Sequence, residues 1–101
     1  MTEWRDLDCF ERAILCNLWR QAPRTGRKPA NIPLRALLRG LDPAVRDSAL
    51  VKDAVKSLIK KGLVEWYRKR KGRTLTITPE GQRLARDHCP EEWEILRSGM
   101  C

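Results

Sequence analysis

The spacing of apolar residues changes at Gly62, and that change fixes the order in which helix and sheet can occur. Upstream, Val51, Val55 and Leu58, with Ala54 beside them, recur at the helical period. Downstream the period falls to two, with Leu75 and Ile77 alternating with Thr74, Thr76 and Thr78. The spacing predicts a helix that begins between Pro43 and Ser48, capped by Asp42, Asp47 or Ser48. It ends at Gly62, which takes a left-handed cap without a Cβ penalty. Two strands follow, Leu63 to about Arg70 and Arg73 to Thr78, with Lys71-Gly72 as a two-residue turn.

Further helices flank this junction. Asp8 followed by Glu11 reads as a capping box opening a helix to about Gln21, with Leu7, Phe10, Ile14 and Leu18 on one apolar face. Pro23 to Pro29 breaks it. A short helix follows, capped by Asn31 or Ile32, with Leu34, Leu37, Leu38 and Leu41 at i, i+3, i+4 and i+7 and Gly40 as its stop. Thr78-Pro79-Glu80 opens a last helical segment, which Pro90 kinks or restarts.

Charge is segregated along the chain. Of the net +8, residues 20–41 contribute six bases and no acid, and residues 65–78 five bases against Glu65 alone. The two ends are acidic on balance, so the cationic centre implies an anionic partner on one surface, for which nucleic acid is the usual candidate. No apolar run exceeds Ala13 to Cys16, and no amphipathic helix pairs a basic face with a bulky apolar anchor. A cytoplasmic protein with no membrane partner is expected. At 101 residues the chain suits a single domain with one core.

At two junctions the residues carry a family resemblance. Leu58-Ile59-Lys60-Lys61-Gly62-Leu63-Val64 resembles the passage from recognition helix to wing in winged-helix regulators. Leu75-Thr76-Ile77-Thr78-Pro79-Glu80-Gly81 resembles the exit from the wing in the MarR and PadR groups. The resemblance spans roughly residues 8–88. It implies an α+β, mostly helical winged helix-turn-helix: a three-helix core, a β-hairpin wing and a C-terminal helix. The helix-turn-helix would occupy about 31–61, the wing 63–78 and the C-terminal segment 79–98, all within one domain, 1–101. MarR chains are longer, with terminal helices that form a dimer and an effector pocket.

The function implied is binding of double-stranded DNA, as a transcriptional regulator with the third helix in the major groove. Candidate contacts on or near that helix are Arg46, Ser48, Lys52, Asp53 and Lys56. Lys52 and Lys56 can donate to guanine or phosphate, and Asp53 can accept from cytosine. Arg68, Lys69, Arg70, Lys71 and Arg73 form a basic wing suited to the backbone or a narrow minor groove. Arg24, Arg27 and Lys28 are possible phosphate contacts. Each cluster also has a plainer reading, as a solvated helix face, a soluble connector, or a charged hairpin that blocks edge-to-edge aggregation. Trp66 and Tyr67, adjacent in a strand, point to opposite faces, so one is expected in the core and the other as a surface packing residue or a contact with DNA or a second subunit.

Trp4, Leu7, Trp93 and Leu96, with Ile95, give the acidic ends more apolar surface than short tails need. A homodimer through these ends would set two recognition helices about 34 Å apart on DNA. Cys9 and Cys16, seven residues apart on one helix, lie too far from one another for a disulfide, and no Cys-x-x-Cys occurs. Reduced thiols at Cys9, Cys16 and Cys89, a free Cys101, and neither metal nor cofactor are expected. One histidine and the absence of a phosphate loop, a nucleophile elbow or a suitable carboxylate pair speak against an enzyme. The alternatives are a winged helix serving as a protein-binding subunit of a larger complex, and a sequence-tolerant architectural DNA binder.

Overall fold

The computed structural model describes residues 2–21, 33–43, 46, 48–69 and 72–97, with Leu34, Ser48, Arg68, Lys69, Gly72 and Arg73 described by backbone alone. A 3-10 turn, Trp4–Asp6, precedes α1 (Cys9–Gln21), α2 (Leu34–Arg39) and α3 (Ser48–Lys60). The hairpin β1 (Val64–Lys69) and β2 (Gly72–Ile77) and the long α4 (Pro79–Arg97) follow. This is a winged helix: a helical core, a two-stranded antiparallel wing, and a closing helix.

Helix α1 is the axis of the core. It meets α2, α3, β2 and α4, and seven of the eight positions from Glu11 to Leu18 are buried by that enclosure, Arg12 alone being half-buried among them. The apolar face legible in its sequence is thus narrower than the face it buries. Its start is the expected capping box, in which the Glu11 N–H donates to Asp8 Oδ1 at 2.7 Å and the Asp8 N–H donates to Glu11 Oε1 at 3.3 Å. The other carboxylate oxygen of Glu11 accepts from Ser57 Oγ at 2.9 Å and from Lys61 Nζ at 2.7 Å, tying the start of α1 to the end of α3.

Six residues make too short a helix to hold itself together, and α2 is held by its neighbours. The buried Asn17 donates through Nδ2 to the Leu37 carbonyl, and Gln21 Nε2 donates to the Ala36 carbonyl at 2.9 Å. Arg46 Nε donates to the Leu41 carbonyl at 2.7 Å just beyond the helix. Carbonyls near the end of α2 that have no partner within the helix are satisfied in this way. A Cβ at Gly40 would come within 2.0 Å of Asn17 Oδ1, so this close approach requires glycine.

The junction after α3 is a Schellman motif. Gly62 has φ +77°, its N–H donates to Ile59 O at 3.0 Å, and the Leu63 N–H donates to Leu58 O at 3.0 Å. Leu58 and Leu63, the apolar pair that accompanies this motif, are both fully buried. In the hairpin, Val64 pairs with Ile77, Trp66 with Leu75, and Lys69 with Gly72. The two intervening residues are therefore Arg70 and Lys71, one position earlier than the expected Lys71-Gly72 turn; they lie outside the described residues, as do Pro23 to Pro29, Asn31, Ile32 and Asp47.

The packing of α4 decides between the two alternatives at Pro90 and corrects two further expectations. The helix runs on through Pro90 and does not restart there; Pro90 is exposed, so the carbonyl that loses its N–H partner lies toward water. Cys16 and Cys89 are not thiols: they form a disulfide across α1 and α4, with Cα atoms 5.4 Å apart. Cys9 is also disulfide-bonded, and none of the described cysteines is free. Local spacing excluded only the Cys9–Cys16 pair, whereas the bond that forms joins residues 73 apart in sequence and both fully buried. Lastly, Trp4, Leu7, Trp93 and Leu96 do not face outward toward a second copy. All four are buried in the chain's own core, where Trp4 stacks on His88 of α4 with ring centroids 4.7 Å apart. The guanidinium of Arg12 lies 5.3 Å from the Trp4 ring and that of Arg20 5.3 Å from the Trp93 ring. No helix of the described residues is long and apolar enough to cross a membrane.

Candidate nucleic-acid interface

Helix α3 separates its two faces cleanly. Val51, Ala54, Val55 and Leu58 are buried, while Ala49, Lys52, Asp53, Lys56 and Lys60 are exposed. At 3.6 residues per turn, Ala49, Asp53, Lys56 and Lys60 fall within an arc of about 60° opposite the buried stripe, and Lys52 lies on its flank. The side chains of Lys52, Asp53 and Lys56 make no hydrogen bond or ion pair with any described residue. Lys61, one residue beyond α3, is by contrast committed to Glu11 and the Asp6 carbonyl. Among the described residues of α3 and its end, the cations left for an external anion are thus those on the outward arc and its flank.

The wing follows α3, and its backbone register divides its residues between two faces. Its register puts Val64, Trp66 and Arg68 on one face with Ile77, Leu75 and Arg73, and Glu65, Tyr67 and Lys69 on the other with Thr76, Thr74 and Gly72. The first face is buried at its base, at Val64, Leu75 and Ile77, and opens to a 38% exposed Trp66 before reaching the directly opposed Arg68 and Arg73. Tyr67, 51% exposed, and Trp66, 38% exposed, are both outside the core, so neither is the core residue expected of this pair.

The remaining candidates divide. Arg46 is exposed but spends its guanidinium on the Leu41 and Arg39 carbonyls, at 2.7 and 3.3 Å, and so shapes the turn into α3. The side chains of Ser48, Arg68, Lys69 and Arg73 and the residues Arg24, Arg27, Lys28, Arg70 and Lys71 lie outside the description. Two exposed cations were not singled out from sequence: Arg35 and Arg39, four residues apart on α2. The run of bases without an acid contained them, and the i, i+4 spacing that puts them on one face was the available signal. A depression of 680 Å³ between the N-terminal turn and α4 is lined by Trp4, Arg5, Arg83 and His88, but Glu3 and Asp87 line it as well. Two cations and two carboxylates give it no net field for an anion.

The fold has a counterpart among solved structures. The chain is similar to SSV1 F-93, with a TM-score of 0.62 and 22% identity over 84% of this chain and 89% of that one. At that identity the likeness is one of fold. No protein-family model and no curated protein matches the chain, so the resemblance to the MarR and PadR groups rests on the two junction motifs alone.

Proposed function

We propose that this chain is a non-catalytic protein that binds double-stranded DNA and regulates transcription, with α3 in the major groove and the wing along the backbone or in the minor groove. One observation carries the reading: the outward side of α3 presents Lys52, Lys56 and Lys60 to solvent, opposite the stripe that α3 buries in the core. In a helix-turn-helix the second helix enters the groove while the first crosses the backbone, a position that gives Arg35 and Arg39 of α2 phosphates to meet. A pseudo-palindromic site would take two copies with their α3 helices about 34 Å apart. A homodimer of that kind would use exposed side chains, since Trp4, Leu7, Trp93 and Leu96 are buried within one chain.

The test is a titration of duplex DNA at several salt concentrations. Binding should weaken steeply with salt, the logarithm of the affinity falling by about 0.9 per phosphate contact for each tenfold rise in salt. Lys52→Ala and Lys56→Ala should weaken it. Salt-independent or absent binding would refute the DNA reading and leave the protein-docking alternative.

A further inference from the structure

Asp53 is out of keeping with the face that bears it. It sits in the outward arc of α3 between Ala49 and Lys56, exposed, with neither carboxylate oxygen engaged by a described residue. Two plain roles for an acid there fail. It is the sixth residue of α3, beyond the first turn in which a carboxylate complements the helix dipole. It lies three residues from Lys56, within pairing distance on a helix, yet the two form no ion pair. The carboxylate therefore neither caps the helix nor tempers its lysines.

Given the reading above that α3 enters the major groove, a carboxylate in that arc meets base edges in a field of phosphates. Guanine offers two acceptors there, thymine an acceptor and a methyl group, and adenine an acceptor next to its donor. Only cytosine offers a donor, N4, with no acceptor of its own beside it. We propose that Asp53 makes the interface sequence-selective by requiring a cytosine beneath the outward arc of α3. The same charge repels the acceptor-bearing edges and the phosphates of every other sequence, so discrimination arises from repulsion as well as attraction.

The experiment compares wild type with Asp53→Ala and Asp53→Asn, first by selection from random-sequence duplexes and then by competition titration. Wild type should enrich sequences sharing a fixed C·G pair, and changing that pair to T·A should lower its affinity on the order of 10- to 100-fold. Both variants should lose the fixed pair and bind random duplex more tightly than wild type. Because Asp53 is exposed, their melting curves should overlay that of wild type, which excludes a folding defect. Variants that select the same C·G pair would overturn the role of Asp53 while leaving DNA binding in place. A wild type that binds no duplex in the same titration would overturn the DNA reading, and with it this proposal.

Discussion

Loss of the Cys16–Cys89 bond should lower stability by about 4 kcal/mol. A cross-link over 73 residues removes loop-closure entropy from the unfolded chain, and in the chain-entropy treatment loops of that size are worth about 4 kcal/mol at 25 °C. A small domain holds roughly 5–15 kcal/mol in all, so this one bond accounts for a large share. At about 4–8 °C per kcal/mol for a domain of this size, the melting temperature should fall by roughly 15–30 °C. Cys16→Ala/Cys89→Ala, melted beside wild type under non-reducing conditions, isolates the effect because Cys9 is unchanged in both. Both sulfurs are fully buried, so reductant added to the native protein should act only as fast as the fold opens, and much faster in denaturant. A double variant that melts within about 2 °C of wild type would refute the reasoning. So would alkylation of Cys16 and Cys89 in unfolded protein that has never met a reductant.

Glu11→Gln keeps the shape but supplies one acceptor oxygen where the carboxylate serves Asp8, Ser57 and Lys61. It should cost about 1–3 kcal/mol, read as a lower midpoint at unchanged slope in urea. Gly81→Ala would set a Cβ 2.2 Å from the Leu63 carbonyl and 2.9 Å from Ile77 Cγ1. It should cost about 1–3 kcal/mol or more, whereas Gly62→Ala, left-handed but with open space around it, should cost about 1–2 kcal/mol. A Gly62 variant less stable than the Gly81 variant would contradict this ordering. Arg68→Ala or Arg73→Ala should weaken all duplexes alike and reduce the salt slope by about one unit; an unchanged slope would make the wing a solubility device.

Local chemistry was legible in the sequence and long-range chemistry was not. The Asp8–Glu11 box, the Gly62 stop and the leucines of α2 each act within one turn of helix, so residue order reveals them. The same holds for the outward lysines, whose spacing on α3 needs only the helical period. The Cys16–Cys89 bond depends instead on how α1 lies against α4, which no spacing within either helix encodes. Trp4 misleads for a related reason. It belongs to a short acidic segment that reads as a tail, yet Arg12 donates to its carbonyl at 3.0 and 3.2 Å and His88 covers its ring. Asn17 is a related case: nothing in the spacing of α1 marks it for burial, because the carbonyl that satisfies it belongs to Leu37 of α2.

At the base of the wing, Thr78 acts as a clasp. Its N–H donates to Leu63 O at 3.0 Å, its hydroxyl donates to Gly62 O at 2.8 Å, and the same oxygen accepts from the Gly81 N–H at 3.1 Å. Gly62, Leu63, Thr78 and Gly81 thus set the angle between α3 and the hairpin where the strands begin, several residues from the tip. In evolutionary terms the wing is an interchangeable part. Changes of length or charge in the strands beyond the clasp should leave the presentation of α3 undisturbed, so under the proposed reading the hairpin alone could be altered to suit another duplex, while the four residues of the clasp stay fixed.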